Sequence, residues 1–194
     1  GILQAQTMGL EAKITGNTRE DSFTSAAIFI PETPKVEEKD TEQVYNNGLL
    51  LVENLLSRAE KKEPLDIKLI ASILFQLLEW LKIQDAALLR MVYKKNTTDY
   101  LHNHLLGVSI FSLAIGLGLE LAEGSLIDLG VSAILHDLGL VNLRNIIQQP
   151  RRLEPEEFEL VKAHPTQAVE FLEKSKDISE RVKLAIGSHH ERIN

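Results

Sequence analysis

All six histidines of this 194-residue chain, His102, His104, His136, His164, His189 and His190, lie in its second half. Their neighbours add to the pattern. His136 precedes Asp137 in ILHDLGL, and His189 and His190 stand side by side in SHHERIN. Imidazole nitrogen and carboxylate oxygen are ligands of divalent transition metals. With no cysteine anywhere, disulfides and thiolate metal sites are excluded. A lone histidine on a helix is usually a core or surface residue. Histidines on four separate helices are a different matter, because a bundle can bring them to one point and build a metal site from facing side chains.

Helix geometry sorts the candidates. Adjacent residues point about 100° apart, so His136 and Asp137 do not easily ligate one ion head-on. An aspartate has two oxygens, however, and can bridge two ions while the histidine holds one of them. The same offset lets His189 and His190 fan around a site at a helix end. His102 and His104 diverge by about 200°, so only one faces inward. His104, with Val108 and Phe111 four and seven residues on, shares the apolar stripe, which leaves His102 as the spectator.

The elements that must position these residues are helical. At 44% hydrophobic content the chain can bury a full core in one main domain. Residues 10–15 and 25–30 permit two short strands around GNTRED, and PETPKVEEKDTEQ reads as a charged linker. This divides the chain into an N-terminal segment, 1–42, and a helical domain, 43–194. Apolar residues at three- and four-residue spacing then predict helices over 44–62 and 64–83. Further helices are read over 85–95, 98–121, 124–139, 154–175 and 177–192; the stretch 98–121 is apolar on most sides and suits the centre of a bundle, and 154–175 has acids in its first turn. Pro64 is placed in the first turn of the second, Ser125 near the start of the fifth, Gly139 as its stop, and Pro165 as a bend or division in the sixth. The fold class is all-α, a bundle of about seven helices.

A net charge of -7 without a long basic cluster argues against DNA or RNA as partner. No uninterrupted apolar run reaches the roughly 18 residues of a membrane span, and the N-terminus shows no signal-peptide pattern. A soluble, cytoplasmic protein is the expectation, with a homodimer left open.

HNHLLGV, LHDLGL, AHPTQAVEFL and HHERIN follow one another in the order and near the spacing of the conserved blocks of HD-GYP domains, a bacterial branch of the HD phosphohydrolases. From about residue 44 onward the sequence resembles that family. The resemblance implies a helical phosphodiesterase that hydrolyses cyclic di-GMP through a metal-activated hydroxide, with two divalent ions, iron or manganese. It implies that His104, His136 and Asp137 hold the first ion and His164, His189 and His190 the second, with Asp137 bridging and the His136–Asp137 pair catalytic. Trinuclear members carry a glutamate where this chain has Tyr100, so a third ion is not expected.

The match departs from the family in four places. HDIGK becomes HDLGL, so a phosphate-binding lysine is replaced by Leu140; Arg144 stands where a proline is usual; and the following loop reads QQPRRLEPEE. Arg144, Arg151 and Arg152 are the candidates to contact substrate in the lysine's place. The family's glycine-tyrosine-proline loop and a further ligand aspartate would follow Asn194, so the sequence reads as a truncated member. Two other readings stand beside the phosphodiesterase: an HD phosphohydrolase of another nucleotide, and a non-catalytic signalling module. Retained ligands favour an enzyme, and Leu140 favours the module.

Overall fold

The computed structural model describes residues 38–93 and 99–192, apart from the side chains of residues 38, 39, 84 and 85. The helices are α1 (Glu38–Glu60), α2 (Ile67–Tyr93), α3 (Tyr100–Gly118), α4 (Glu123–Leu135), a 3-10 helix (Leu138–Leu143), α5 (Arg144–Ile147), α6 (Pro155–Lys162), α7 (His164–Leu172) and α8 (Glu180–Ser188). No strand occurs among the described residues, and the architecture is an all-α bundle. The two strands expected over 10–15 and 25–30 lie outside the described residues.

Several boundaries differ from the sequence-based ones, each for a physical reason. The stretch read as a linker is helical from Glu38, because Thr41 and Tyr45 are buried and the Trp80 indole donates to Thr41 Oγ1 at 3.2 Å, tying α1 to α2. The second and third predicted helices are one, α2. Nothing between Ile83 and Ala86 is a glycine or proline, so local sequence offers no break. Pro64 lies before α2 rather than in it; Asp66 is the residue whose carboxylate accepts from Leu69 N, at 3.1 Å. Ser125 is inside α4, whose N-cap is Ala122 without a side-chain cap. Pro165 divides the sixth helix into α6 and α7, sitting in the first turn of α7 where its missing N–H has no helical acceptor.

The core is a leucine-rich cluster in which α3 packs against α1, α2 and α4. Leu101, Leu105, Leu106, Ile110 and Leu113 of α3 are wholly buried, each contributing about 1.5–3 kcal/mol of burial. Asp99 caps this helix by accepting from Leu101 N at 2.9 Å. By length and mean hydropathy alone, Tyr100–Gly118 and Glu123–Ile147 would be long and apolar enough to cross a membrane. The histidines and serines of α3 interrupt an apolar run without lowering its average much. In this bundle Glu123–Ile147 is divided among α4, the 3-10 helix and α5.

Candidate metal centre

The side chains of His104, His136, Asp137, His164, His189 and His190 converge on one point from α3, the α4 terminus, α7 and the α8 terminus. They form two donor groups that share Asp137: His104, His136 and Asp137 in one, and Asp137, His164, His189 and His190 in the other, with donor atoms of each group within 4.8 Å of one another. Asp137 Oδ2 lies 3.1 Å from His104 Nε2 and 3.3 Å from His136 Nε2. Its other oxygen, Oδ1, lies 2.9 Å from His164 Nε2 and 3.5 Å from His189 Nε2.

Backbone carbonyls decide which nitrogen faces inward. His136 Nδ1 donates to Ala133 O at 2.8 Å, His189 Nδ1 to Ile186 O at 2.7 Å, and His164 Nδ1 to Val161 O. Each acceptor is three residues upstream, so the end of a helix or its last turn holds the ring. With Nδ1 protonated, the neutral ring presents an Nε2 lone pair to the centre, the orienting role of an outer shell around a metal. His104 is held differently, its ring stacked on Tyr100 at 5.2 Å between centroids and 14° between planes.

These lone pairs face one another. His164 Nε2 lies 3.2 Å from His189 Nε2, and His104 Nε2 lies 3.3 Å from His136 Nε2. Neutral rings of this tautomer around a carboxylate place acceptors against acceptors, an arrangement that requires protons or cations between them. The donor set therefore fits divalent ions that accept nitrogen and oxygen.

Without such ions, protons serve. Burial alone would raise the Asp137 carboxyl, but hydrogen bonds from His104, His136 and His164 hold it far below the carboxylate range. For His164, burial opposes the charged form, yet the bonds to Asp137 and Val161 raise its pKa. Burial lowers His189, helped by the neighbouring His136 and His190. A His164 that keeps its proton to higher pH competes with metal, so metal affinity is expected to rise as pH climbs above the ordinary histidine value of about 6.5, with proton release on binding. Manganese titrations at several pH values, in buffers of differing ionisation enthalpy, measure both; a flat profile would count against the ligand role of His164.

The other candidates are placed elsewhere. His102 faces Asp99 at 3.3 Å and belongs to neither donor group. Val108 and Phe111 are only half-buried, so the stripe that His104 shares borders the core formed by Leu101, Leu105 and Leu106. Leu140 is buried in the core, leaving no cation at that position.

Arg144 pairs with Glu60 at 3.4 Å and Asp99 at 3.7 Å, joining the start of α5 to α1 and the α3 cap. Arg151 donates two hydrogen bonds to Glu157, both 2.7 Å, and Glu157 also accepts from Glu154 N. Both arginines are thus engaged within the fold, while Arg152 is exposed. The Arg151 guanidinium pulls the Glu157 carboxyl down to about 2. Arg151→Ala is expected to raise the Glu157 pKa toward the ordinary glutamate range without restoring it fully, since Glu154 N still donates to the carboxylate, as read by carboxyl NMR titration. This pair's stabilising contribution is present above the unfolded glutamate pKa and is lost as pH falls toward 2.

Gly139 is the site residue that sequence reading misplaced. The α-helix ends earlier, at Leu135, and Gly139 lies within the 3-10 helix. A Cβ there would overlap the His164 carbonyl oxygen and approach His164 C at 2.9 Å and Cα at 3.0 Å. The glycine lets the chain after Asp137 touch the backbone of the opposite donor group. Only the HDxG spacing hinted at such a role.

A family model for the HD domain matches residues 64–194, and the chain belongs to that family. It is 31% identical over 109 residues to a cyclic di-GMP phosphodiesterase of Pseudomonas aeruginosa, an alignment covering 56% of this chain and 26% of that protein. It is 28% identical over 98 residues to a 3′3′-cGAMP-specific phosphodiesterase of Vibrio cholerae, covering 50% and 21% respectively. The alignments thus span about a quarter of the length of these relatives. No solved structure matches significantly.

Proposed function

We propose that the chain is the hydrolytic domain of a metal-dependent phosphodiesterase acting on a cyclic dinucleotide, cyclic di-GMP in the first instance, with two divalent ions bridged by Asp137. The observation that carries this reading is the division of one carboxylate between two histidine groups, Oδ2 toward His104 and His136 and Oδ1 toward His164 and His189. The names of the relatives support a cyclic dinucleotide as substrate.

A pair of such ions, when bound, supplies water with a pKa lowered to about 7 and a clamp for in-line displacement at phosphorus. The chain's own part is arrangement. Ala133, Val161 and Ile186 fix three rings with Nε2 inward, and Asp137 stays ionised between the groups. Neutral imidazoles leave most of the cationic charge available to an anionic substrate, which a protein of net charge -7 needs. Iron and manganese suit this nitrogen and oxygen set.

The test is metal content and turnover together. Protein loaded with manganese, or with ferrous iron under anaerobic conditions, is expected to hold two ions per chain and to linearise cyclic di-GMP or 3′3′-cGAMP, and His136→Ala to lose both properties. A single ion per chain would refute the bridged pair. The buried Leu140 favours the second reading, a non-catalytic module. Nucleotide binding by metal-free protein, with no turnover after loading, would establish that reading instead.

A further inference from the structure

A cavity of about 440 Å³ lies on the α1–α7 side of the 3-10 helix, and no donor residue of the metal centre lines it. Its size falls within the range of small-molecule sites. Leu138, Val141, Leu143 and Phe171 make an apolar lining, and Lys62 and Lys174 are the cationic residues of its walls. Neither lysine has an ion-pair partner among the described residues, although Glu170 also lines the cavity. Two cations and one carboxylate leave a single net positive charge facing an apolar interior.

Lys62 occupies an unusual backbone position. It ends α1 in the left-handed region, φ 56, with Lys62 N bonded to Ala59 O at 3.1 Å and Glu63 N to Arg58 O at 2.9 Å. This is the helix-ending pattern in which glycine is usual. A lysine held there, on the cavity wall, carries a conformational cost that glycine would avoid. A neighbouring depression shares Lys174 and adds Lys68 and Lys176, with Asp66 and Asp177, so the surroundings are rich in cations in a chain that is acidic overall.

We propose that this cavity binds a small amphipathic monoanion, an aromatic or aliphatic body carrying one sulfonate, carboxylate or phosphodiester group. The body fills the apolar interior and the anion lies between Lys62 and Lys174. The site is separate from the metal centre, yet Leu138 and Gly139 of its wall directly follow Asp137.

Anilinonaphthalene sulfonate, a fluorescent monoanion that ligates metals poorly, is the probe. Titration into the full chain is expected to show one saturable site, weakened about tenfold or more by Lys62→Gly and by Lys174→Gln, and unchanged by His136→Ala. Lys62→Gly relaxes the backbone, so its melting temperature is expected to equal or exceed that of the parent; lost binding then cannot be ascribed to misfolding. The neutral analogue phenylnaphthylamine is expected to bind at least tenfold more weakly. Absent or unsaturable fluorescence, equal binding of the neutral analogue, insensitivity to both lysine substitutions, or loss in His136→Ala would each overturn the proposal.

Discussion

Asp137→Asn is expected to weaken metal binding by at least about 100-fold in both donor groups, and to lower hydrolysis by on the order of 10² to 10³. The substitution keeps the shape of the side chain and removes its charge. In this fold the charge is shared: one oxygen serves His104 and His136, the other His164 and His189. Among the described residues no other carboxylate belongs to either group. Metal analysis after dialysis and the rate of cyclic dinucleotide cleavage read the two effects. Retention of two ions in the variant would remove Asp137 from the bridging role.

The same variant has a signature in metal-free protein. Asp137 and Val161 raise the His164 pKa, so protonating His164 stabilises the fold. That contribution is full below the unfolded histidine pKa, about 6.5, and is lost as pH rises through the higher folded value. In Asp137→Asn this part of the pH dependence should shrink. Urea melts in the presence of chelator, at pH values on either side of the histidine range, test it without reference to turnover.

Gly139→Ala is expected to be the most damaging glycine-to-alanine substitution among the described glycines. The new Cβ would meet the His164 backbone, and a backbone carbonyl cannot rotate away as a side-chain end can. Overpacking of this kind costs about 3 kcal/mol, the upper part of its usual range. Relief requires moving either the chain after Asp137 or the start of α7, and both carry donors. Metal affinity should therefore fall about 10- to 100-fold, as for a disturbed outer shell. Gly124→Ala is the control: a Cβ there meets nothing within 4 Å, and better helix propensity should stabilise α4 by about 0.5 kcal/mol. Equal urea midpoints for the two variants would show that the Gly139 contact yields freely.

How far these features could be read from sequence depended on whether their cause was local. The helix around Tyr45 was visible because an amphipathic helix writes its spacing into the chain, and the one around Leu105 because a long stretch apolar on most sides suits the centre of a bundle. The division at Pro165 was visible because proline lacks an N–H wherever it is placed. The merger of two predicted helices into α2 was not, since nothing near Ile83 signals either a break or its absence. Nor was the start at Glu38, which depends on a hydrogen bond between Thr41 and a tryptophan 39 residues away.

The candidate site divides along the same line. Residue chemistry drew attention to the six histidines and to Asp137, because so few side-chain types can donate to a hard or borderline cation and this chain has no cysteine. The resemblance to HD-GYP domains implied the set His104, His136, Asp137, His164, His189 and His190. That Arg144 and Arg151 are tied to Glu60, Asp99 and Glu157 emerged only from the folded chain. So did the inward Nε2 atoms and the contact of Gly139 with His164. Donor identity is a property of each residue and survives in a list of residues. Which donors meet, and which cations are already engaged, depends on distances between segments far apart in the chain, and packing of the helices is what sets those distances.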